Sequence, residues 1–394
     1  MPDFIDTFLD WSQDEPSPYI FRLWSAVACV AGALERRVWV KVINRPTYAN
    51  LYVLLTASPG VGKGIIDEVG RLWKRSGKLH VAPDSVTAAS LLDVLSDAKR
   101  LIVNGQSIEF EYHSLVVPAE EFGVLVPAHD LEFLNRLNKI FTNPDELRVR
   151  RRYIKEEINI LRPQMTILGG TQPAYLSELF PEAAWGGGFT QRLIFVHAGH
   201  TPKISLFAPD NGRDLEEKEL VRAMKDLADR KGMLQWDIKA AHALSTWHNA
   251  GGPPRPTHPR LMYYLNRRTQ FLIKLMISSS ASRGADDIVR EFDYERAITW
   301  LIDAEKVMPD VFMAMIQKSD NQILQNLMYW LWETYMKAKK PLHHSRLHAF
   351  LGERVPSEKV PHLMALAIRA HLIENDPPGS DYFKPSARDA KDIL

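Results

Sequence analysis

The hydrophobic and polar positions change period several times along the chain, and each change predicts an element. Phe4, Ile5, Phe8, Leu9 and Trp11 share one helical face, Pro16 and Pro18 interrupt, and Tyr19 to Leu34 resumes as a helix rich in small residues. Arg36 to Val42 alternates as a strand, with a turn at Asn44 to Thr47. Leu51 to Leu55 is apolar without alternation, as expected of an interior parallel strand. The helix that follows runs to about Ser76, and Ser85 or Thr87 is placed to cap another from Ala88 to Ala98. A hairpin is expected around Asn104-Gly105, flanked by Leu101 to Val103 and Ser107 to Tyr112. Apolar strands are then predicted from His113 to Phe122, from Gln164 to Gln172 and up to Val196, with an amphipathic helix at Leu131 to Phe141.

The second half is mostly of helical period. A charged helix over Leu215 to Lys231, a helix over Leu261 to Ser280 and another opening at Asp293 read as a helical lid. Beyond Ser319, helices are expected at Ile323 to Met336, Pro341 to Leu351 and Ser357 to Ala370, followed by two short strands around Pro377-Pro378-Gly379. Three helices and a hairpin make a winged-helix plan, in which Lys359, His362 and Arg369 are placed to meet phosphate. The expected fold is therefore α/β. A helical collar over 1–48 precedes a core with a parallel sheet over 49–200, a lid over 201–320 and a winged-helix-like domain over 321–394.

Composition narrows the partners. Forty-nine Lys and Arg stand against 48 Asp and Glu, so contact with nucleic acid must come from local basic patches or from surfaces assembled in an oligomer. The single cysteine, Cys29, excludes an intrachain disulfide and a cysteine-rich zinc site, and its apolar surroundings make it a core filler. His343, His344 and His348 have no cysteine or clustered carboxylate to complete a metal site, so solvated or DNA-facing histidines are expected. The acidic N-terminus argues against a secretory signal, and the apolar run Leu23 to Leu34 is about half the length a bilayer needs. A location in the cytoplasm, without membrane contact, is the expectation.

The chemistry gathers at the end of the first interior strand. Ser58-Pro59-Gly60-Val61-Gly62-Lys63-Gly64-Ile65 supplies two glycines that let backbone N–H groups turn inward and a lysine where a helix begins. Such a loop cradles the phosphates of a nucleoside triphosphate, with the lysine adding charge near the β and γ groups. Two positions depart from the G-x-x-x-x-G-K-[ST] pattern: Ala57 stands at its first glycine and Gly64 at its hydroxyl. Without that hydroxyl, water or an acidic residue must fill its place on Mg²⁺, or the site binds nucleotide and hydrolyses it poorly. Glu120 and Glu121 end an apolar strand, where one acid holds Mg²⁺ through water and the next activates the attacking water. Glu120 is read as the metal-side acid and Glu121 as the base, the alternative being two solvent-facing acids.

Thr171, or Gln172, is placed to hydrogen-bond the γ-phosphate or the lytic water. Arg192 precedes the last core strand and is read as a finger reaching a neighbour's phosphate, against a surface ion pair as the alternative. Arg267 or Arg268 in the lid is placed to approach bound phosphate from above. The densest basic cluster, Arg148, Arg150, Arg151, Arg152, Tyr153 and Lys155, suits single-stranded DNA through phosphate pairing and base stacking. The same hairpin also reads as solvated, its arginines paired with Glu156 and Glu157.

Taken together, SPYIFRLWSAVACVAGALERRVWV, NLYVLLTASPGVGKG, VVPAEEFGVLV, ILGGTQPAYL and GGGFTQRLIFV resemble the phage and prophage P-loop helicase-like proteins of the helicase-primase type, over about residues 15–200. The order of phosphate loop, acidic strand end, polar strand end, loop arginine, lid and winged helix is also similar to the AAA+ plan of ring helicases of the minichromosome maintenance type. The resemblance implies an ATP- and Mg²⁺-dependent DNA helicase or translocase working as a ring, usually a hexamer, with host replication proteins as further partners. An ATP-switched helicase loader and a non-hydrolysing DNA-binding ring are the alternatives.

Overall fold

A computed structural model describes residues 2–104, 107–150, 157–180, 185, 188–204, 213–284, 286–355 and 357–386. These form a mixed α/β protein divided into two compact units, Met1–Phe312 and Met313–Leu394. The expected collar and core, and the lid as far as Phe312, share one unit, and the division falls inside a single helix, Glu291–Ala338. The sequence pattern predicts two separate helices there; the helical period continues across Ser319, and the helix also passes through Pro309.

In the first unit, α1 (Phe4–Trp11) and α2 (Tyr19–Leu34) lead into β1 (Val38–Val42), β2 (Arg45–Tyr48) and β3 (Tyr52–Thr56). The glycine loop joins β3 to α3 (Ile65–Ser76). β4 (Lys99–Asn104), β5 (Ser107–Ala119), β6 (Glu146–Arg150), β7 (Glu157–Leu161), β8 (Pro163–Thr171) and β9 (Leu193–His197) follow. β10 (Gly232–Trp236) and β11 (Ile288–Val289) complete a second sheet in the order β11-β10-β1-β2.

The central sheet runs β4-β5-β8-β3-β9. β5, β8, β3 and β9 are mutually parallel and only β4 is antiparallel. Every residue of β3 and β8 is buried, which explains why neither strand alternates apolar with exposed polar positions. β5 joins two segments expected to be separate, because neither Gly, Pro, Asn nor Asp falls between Tyr112 and Leu115 and neighbouring strands take up both halves. Its first half pairs antiparallel with β4 and its second half parallel with β8.

α2 packs against β3, β8, β9 and α3, and every residue from Leu23 to Leu34 is buried. A helix apolar all round belongs inside a core, which is why this run needs no membrane. Small residues permit the approach: a β-carbon on Gly32 would stand 2.8 Å from Val116 and 2.9 Å from Trp73. Cys29 is fully buried, and its carbonyl accepts the Trp73 indole N–H at 3.1 Å. At the end of α2, Glu35 is buried and takes the Tyr112 hydroxyl at 2.6 Å, Arg37 at 3.1 Å and Arg100 at 3.2 Å, tying the helix to β4 and β5. Among the described residues no helix is long and apolar enough to cross a membrane.

The second unit places β12 (Leu342–His343), β13 (Ile373–Asn375) and β14 (Tyr382–Pro385) in the order β12-β14-β13, both pairings antiparallel. Leu327, Leu331, Leu347, Leu351, Leu363, Ala367 and Ile373 form its core with helices His344–Gly352 and Val360–Arg369.

Lys274, on helix Arg268–Arg283, is wholly buried in the first unit. Its ammonium donates to the Tyr48 carbonyl at 3.0 Å and to Asn50 Oδ1 at 2.5 Å. Burial pushes its pKa down from 10.5 to about 7. Between pH 7 and 9 the unfolded lysine therefore holds a proton that the folded one has released, and folding stability rises with pH. Lys274→Met should flatten this gain, which amounts to at most about 1.4 kcal/mol per pH unit. Urea melts of both proteins at pH 7 and 9 measure it, and parallel pH responses would show that Lys274 keeps its proton.

Candidate functional site

The parallel register levels the strand ends. Thr56 pairs with Thr171 of β8 and with His197 of β9, while Ala119 of β5 pairs with Gly169 of β8. β8 lies between β3 and β5, so Thr171 stands between the glycine loop that leaves β3 and the carboxylates that follow β5. Two glycines of β8 make the junction tight. A β-carbon on Gly170 would lie 2.6 Å from the Glu120 carbonyl oxygen, and one on Gly169 2.8 Å from the Phe122 ring.

In the loop, Gly60 (φ +78°) and Gly62 (φ +44°) take the left-handed backbone that the two-glycine reading requires. The Lys63 ammonium turns back onto the loop, 3.1 Å from the Ala57 carbonyl and 3.4 Å from that of Ser58. Ser58, Pro59 and Gly60 are exposed, Val61 is buried, and Ile65 opens α3 with its side chain in the core. A β-carbon on Gly64 would meet nothing within 4 Å, so the place of the missing hydroxyl is open space. Two neighbours of the loop carry no recognisable motif. The Thr201 hydroxyl donates to the Gly60 carbonyl at 3.0 Å, and a β-carbon on Gly62 would fall 2.1 Å from the Pro16 carbonyl.

Beside the loop, between α3 and the end of β5, lies a cleft of about 640 Å³ that Gly64 shares. Its acids are Glu15, Asp67, Glu68, Asp84, Glu120 and Glu121, against Arg71 and Lys74. Arg71 pairs with Glu68, and Lys74 with Asp84 at 2.6 Å, so both cations are already engaged. The Glu120 pKa is pushed up from 4.5 to about 7, by burial first, then by a hydrogen bond to Asp67, with the Asp67 and Glu121 charges adding. Asp67 is thus brought to Glu120, a partnership the motif does not announce. Its signal was spacing: Asp67 lies four residues beyond Lys63, in the first turn of α3.

Thr171 is buried at this edge, and its carbonyl accepts the Ala57 N–H at 3.3 Å. Gln172 follows as the residue before helix Pro173–Leu179. Arg192 is at the opposite edge. Leu193 pairs with Tyr52 at the start of β3, about 13 Å from the loop end at roughly 3.3 Å per residue. The Arg192 guanidinium meets only neutral acceptors among the described residues, the Gly188 carbonyl at 2.6 Å and Asn138 Oδ1 at 3.3 Å. The surface ion pair considered for it is therefore not found among those residues. Burial and then the nearby Arg267 guanidinium push its pKa down to about 10.

The turn Tyr264–Arg267 packs against Thr190–Arg192, which brings Arg267 to the arginine edge of the sheet and not to the loop. Arg268 takes a different place. It is buried, holds Glu305 through two bonds of 2.6 and 2.8 Å, and donates to the carbonyls of Gly252 and Pro254. Removing one partner of such a pair costs about 3–5 kcal/mol, so Arg268 is held in the interior by Glu305.

The basic segment is a hairpin, with β6 antiparallel to β7. Arg148 is exposed and pairs with Glu146 at 3.1 Å, and Arg150 ends β6. Arg151, Arg152, Tyr153 and Lys155 lie outside the described residues. No protein-family model matches the chain, and no curated protein matches it either.

Asp67→Asn removes the charge that helps hold the Glu120 proton, so the Glu120 midpoint should fall from about 7 toward the ordinary 4.5. Carboxyl-detected NMR titration reads the shift. An unmoved midpoint would show that the two groups do not interact.

Proposed function

We propose that this chain is an ATP-driven DNA helicase or translocase of a phage or mobile element, working as a ring in the cytoplasm of a bacterial host and related to the phage P-loop helicase-like proteins. The observation that carries the reading is the meeting, at one end of a parallel sheet, of a glycine loop with its lysine, a buried threonine and an acid pair. The strand order supports a P-loop ATPase core. The three helices and small antiparallel sheet of the second unit support a winged helix.

The donor set of the cleft fits Mg²⁺, a hard cation that takes oxygen ligands and keeps several waters. Bound there, Mg²⁺ would neutralise charge on the β and γ oxygens of ATP. Asp67 and Glu120 would hold it, largely through water, and Asp67 would offset the hydroxyl missing at Gly64. The cleft is so acidic that a bare triphosphate is repelled, which makes nucleotide binding depend on the cation. Lys63 would leave the Ala57 and Ser58 carbonyls for the phosphates, and the loop amides would face the same oxygens. Glu121 would take the proton of the attacking water, and Thr171 would orient that water or the γ-phosphate.

Arg192 lies too far from its own loop to act there, which supports a role on the nucleotide of a neighbouring copy, beside Arg267. The basic hairpin would track single-stranded DNA. One observation favours the loader reading instead: the open space at Gly64 provides no protein hydroxyl for the metal, as suits a switch that hydrolyses slowly.

Lys63→Ala should weaken MgATP binding by at least about 100-fold in calorimetry, and undiminished affinity would reject the loop as the phosphate site. Glu121→Gln should bind normally and lose at least about 100-fold in turnover, the lower end of general-base effects. Unchanged turnover would move the base elsewhere. Arg192→Ala should be inactive alone yet regain turnover when mixed with Lys63→Ala subunits. Mixtures no more active than either variant would count against a finger acting between copies. Strand displacement by the chain alone separates helicase from loader.

A further inference from the structure

His343, His344 and His348 carry no metal-binding signature along the sequence, because no cysteine or acid stands beside them. Folding changes the set. β12 pairs antiparallel with β14, His343 opposite Tyr382 and Leu342 opposite Phe383, and the His344 N–H donates to the Asp381 carbonyl at 2.7 Å. This register delivers the Asp381 side chain to the two histidines. One ligand atom from each of His343, His344 and Asp381 lies within 4.8 Å of the other two.

Two further observations concern the imidazoles. His344 Nδ1 is buried and has no hydrogen-bond partner, although an unsatisfied buried nitrogen ordinarily costs about 1–3 kcal/mol. His343 Nδ1 lies 2.9 Å from the Ser345 hydroxyl and 3.4 Å from the Ser345 N–H, and in the tautomer whose Nδ1–H donates to that hydroxyl the ring is oriented and Nε2 is open to a ligand. The His343 and His344 rings stand 4.5 Å apart between centroids, and the His348 ring is 5.5 Å from that of His344.

We propose that His343, His344 and Asp381 bind a divalent first-row transition metal of the zinc class. Two imidazoles and one carboxylate are its donor set, whereas Mg²⁺ and Ca²⁺ call for oxygen alone. Ligands about 2.0–2.1 Å from a tetrahedral ion lie roughly 3.4 Å from one another, so small rotations of these partly exposed side chains close the site. Water, or His348, completes the coordination. The Asp381 carboxylate offsets the unfavourable field of a helix N-terminus, since helix His344–Gly352 begins at the metal. The ion staples β12 and that helix to the β13–β14 hairpin, which suits a unit too small to bury a large core. The site is independent of the nucleotide reading.

The full chain, freed of metal by a chelator, is titrated with Co²⁺. The expected result is one tight equivalent with the visible absorption of a four-coordinate ion, displaced by Zn²⁺. Asp381→Asn and His344→Ala should each weaken binding at least about 100-fold, and Ser345→Ala about tenfold through the oriented ring. Glu120→Gln should leave the absorption unchanged, which separates this site from the acidic cleft. Circular dichroism checks that each variant folds, and the exposed Asp381 keeps the test decisive if His344→Ala does not. A colourless titration, or wild-type Co²⁺ affinity in Asp381→Asn, would overturn the site.

Discussion

Parallel pairing of β3 with β8 on one side and β9 on the other is the constraint on which the first unit depends. Parallel strands in register bring their C-terminal ends to one edge, so whatever the chain carries just after those strands is collected there. The glycine loop, Thr171 and the glutamates after β5 meet for this reason alone. Gly170 then lets the Glu120 backbone close on β8, where any side chain would hold it off. The buried α2 seals one face of the sheet, and the Glu35 cluster ties its end to β4 and β5.

The same geometry sorts charge to opposite edges. Acids crowd the loop edge, where their mutual repulsion raises the Glu120 pKa beyond what burial alone does. Arg192 and Arg267 share the other edge, where the Arg192 guanidinium meets only neutral acceptors among the described residues. Such a separation is a poor way to stabilise one isolated molecule. Under the proposed function, the arginines of one copy would meet the nucleotide of the next.

Elements with strong local signals were legible: the apolar β3, the left-handed Gly60 and Gly62, the amphipathic helix Leu131–Phe141, and the buried Cys29. Helix and strand extents that depend on partners were not. β5 runs on where two segments were expected, because β4 and β8 take successive halves of it. The run from Leu23 to Leu34 reads as a collar helix until three strands are found against it.

By itself, the sequence determined which short stretches have chemistry to offer: a turn that only glycines can make, a lysine after it, two acids ending a strand, an arginine beginning one. Local backbone preference and hydrophobic period are written in neighbouring residues, so they can be read there. Only the tertiary structure decided which of these groups meet. It joined Asp67 to Glu120, committed Arg268 to Glu305, moved Arg267 to Arg192, and carried Asp381 to His343 and His344. Contacts between residues distant in the chain are set by strand register and helix packing, and neither leaves a mark on the residues at either end.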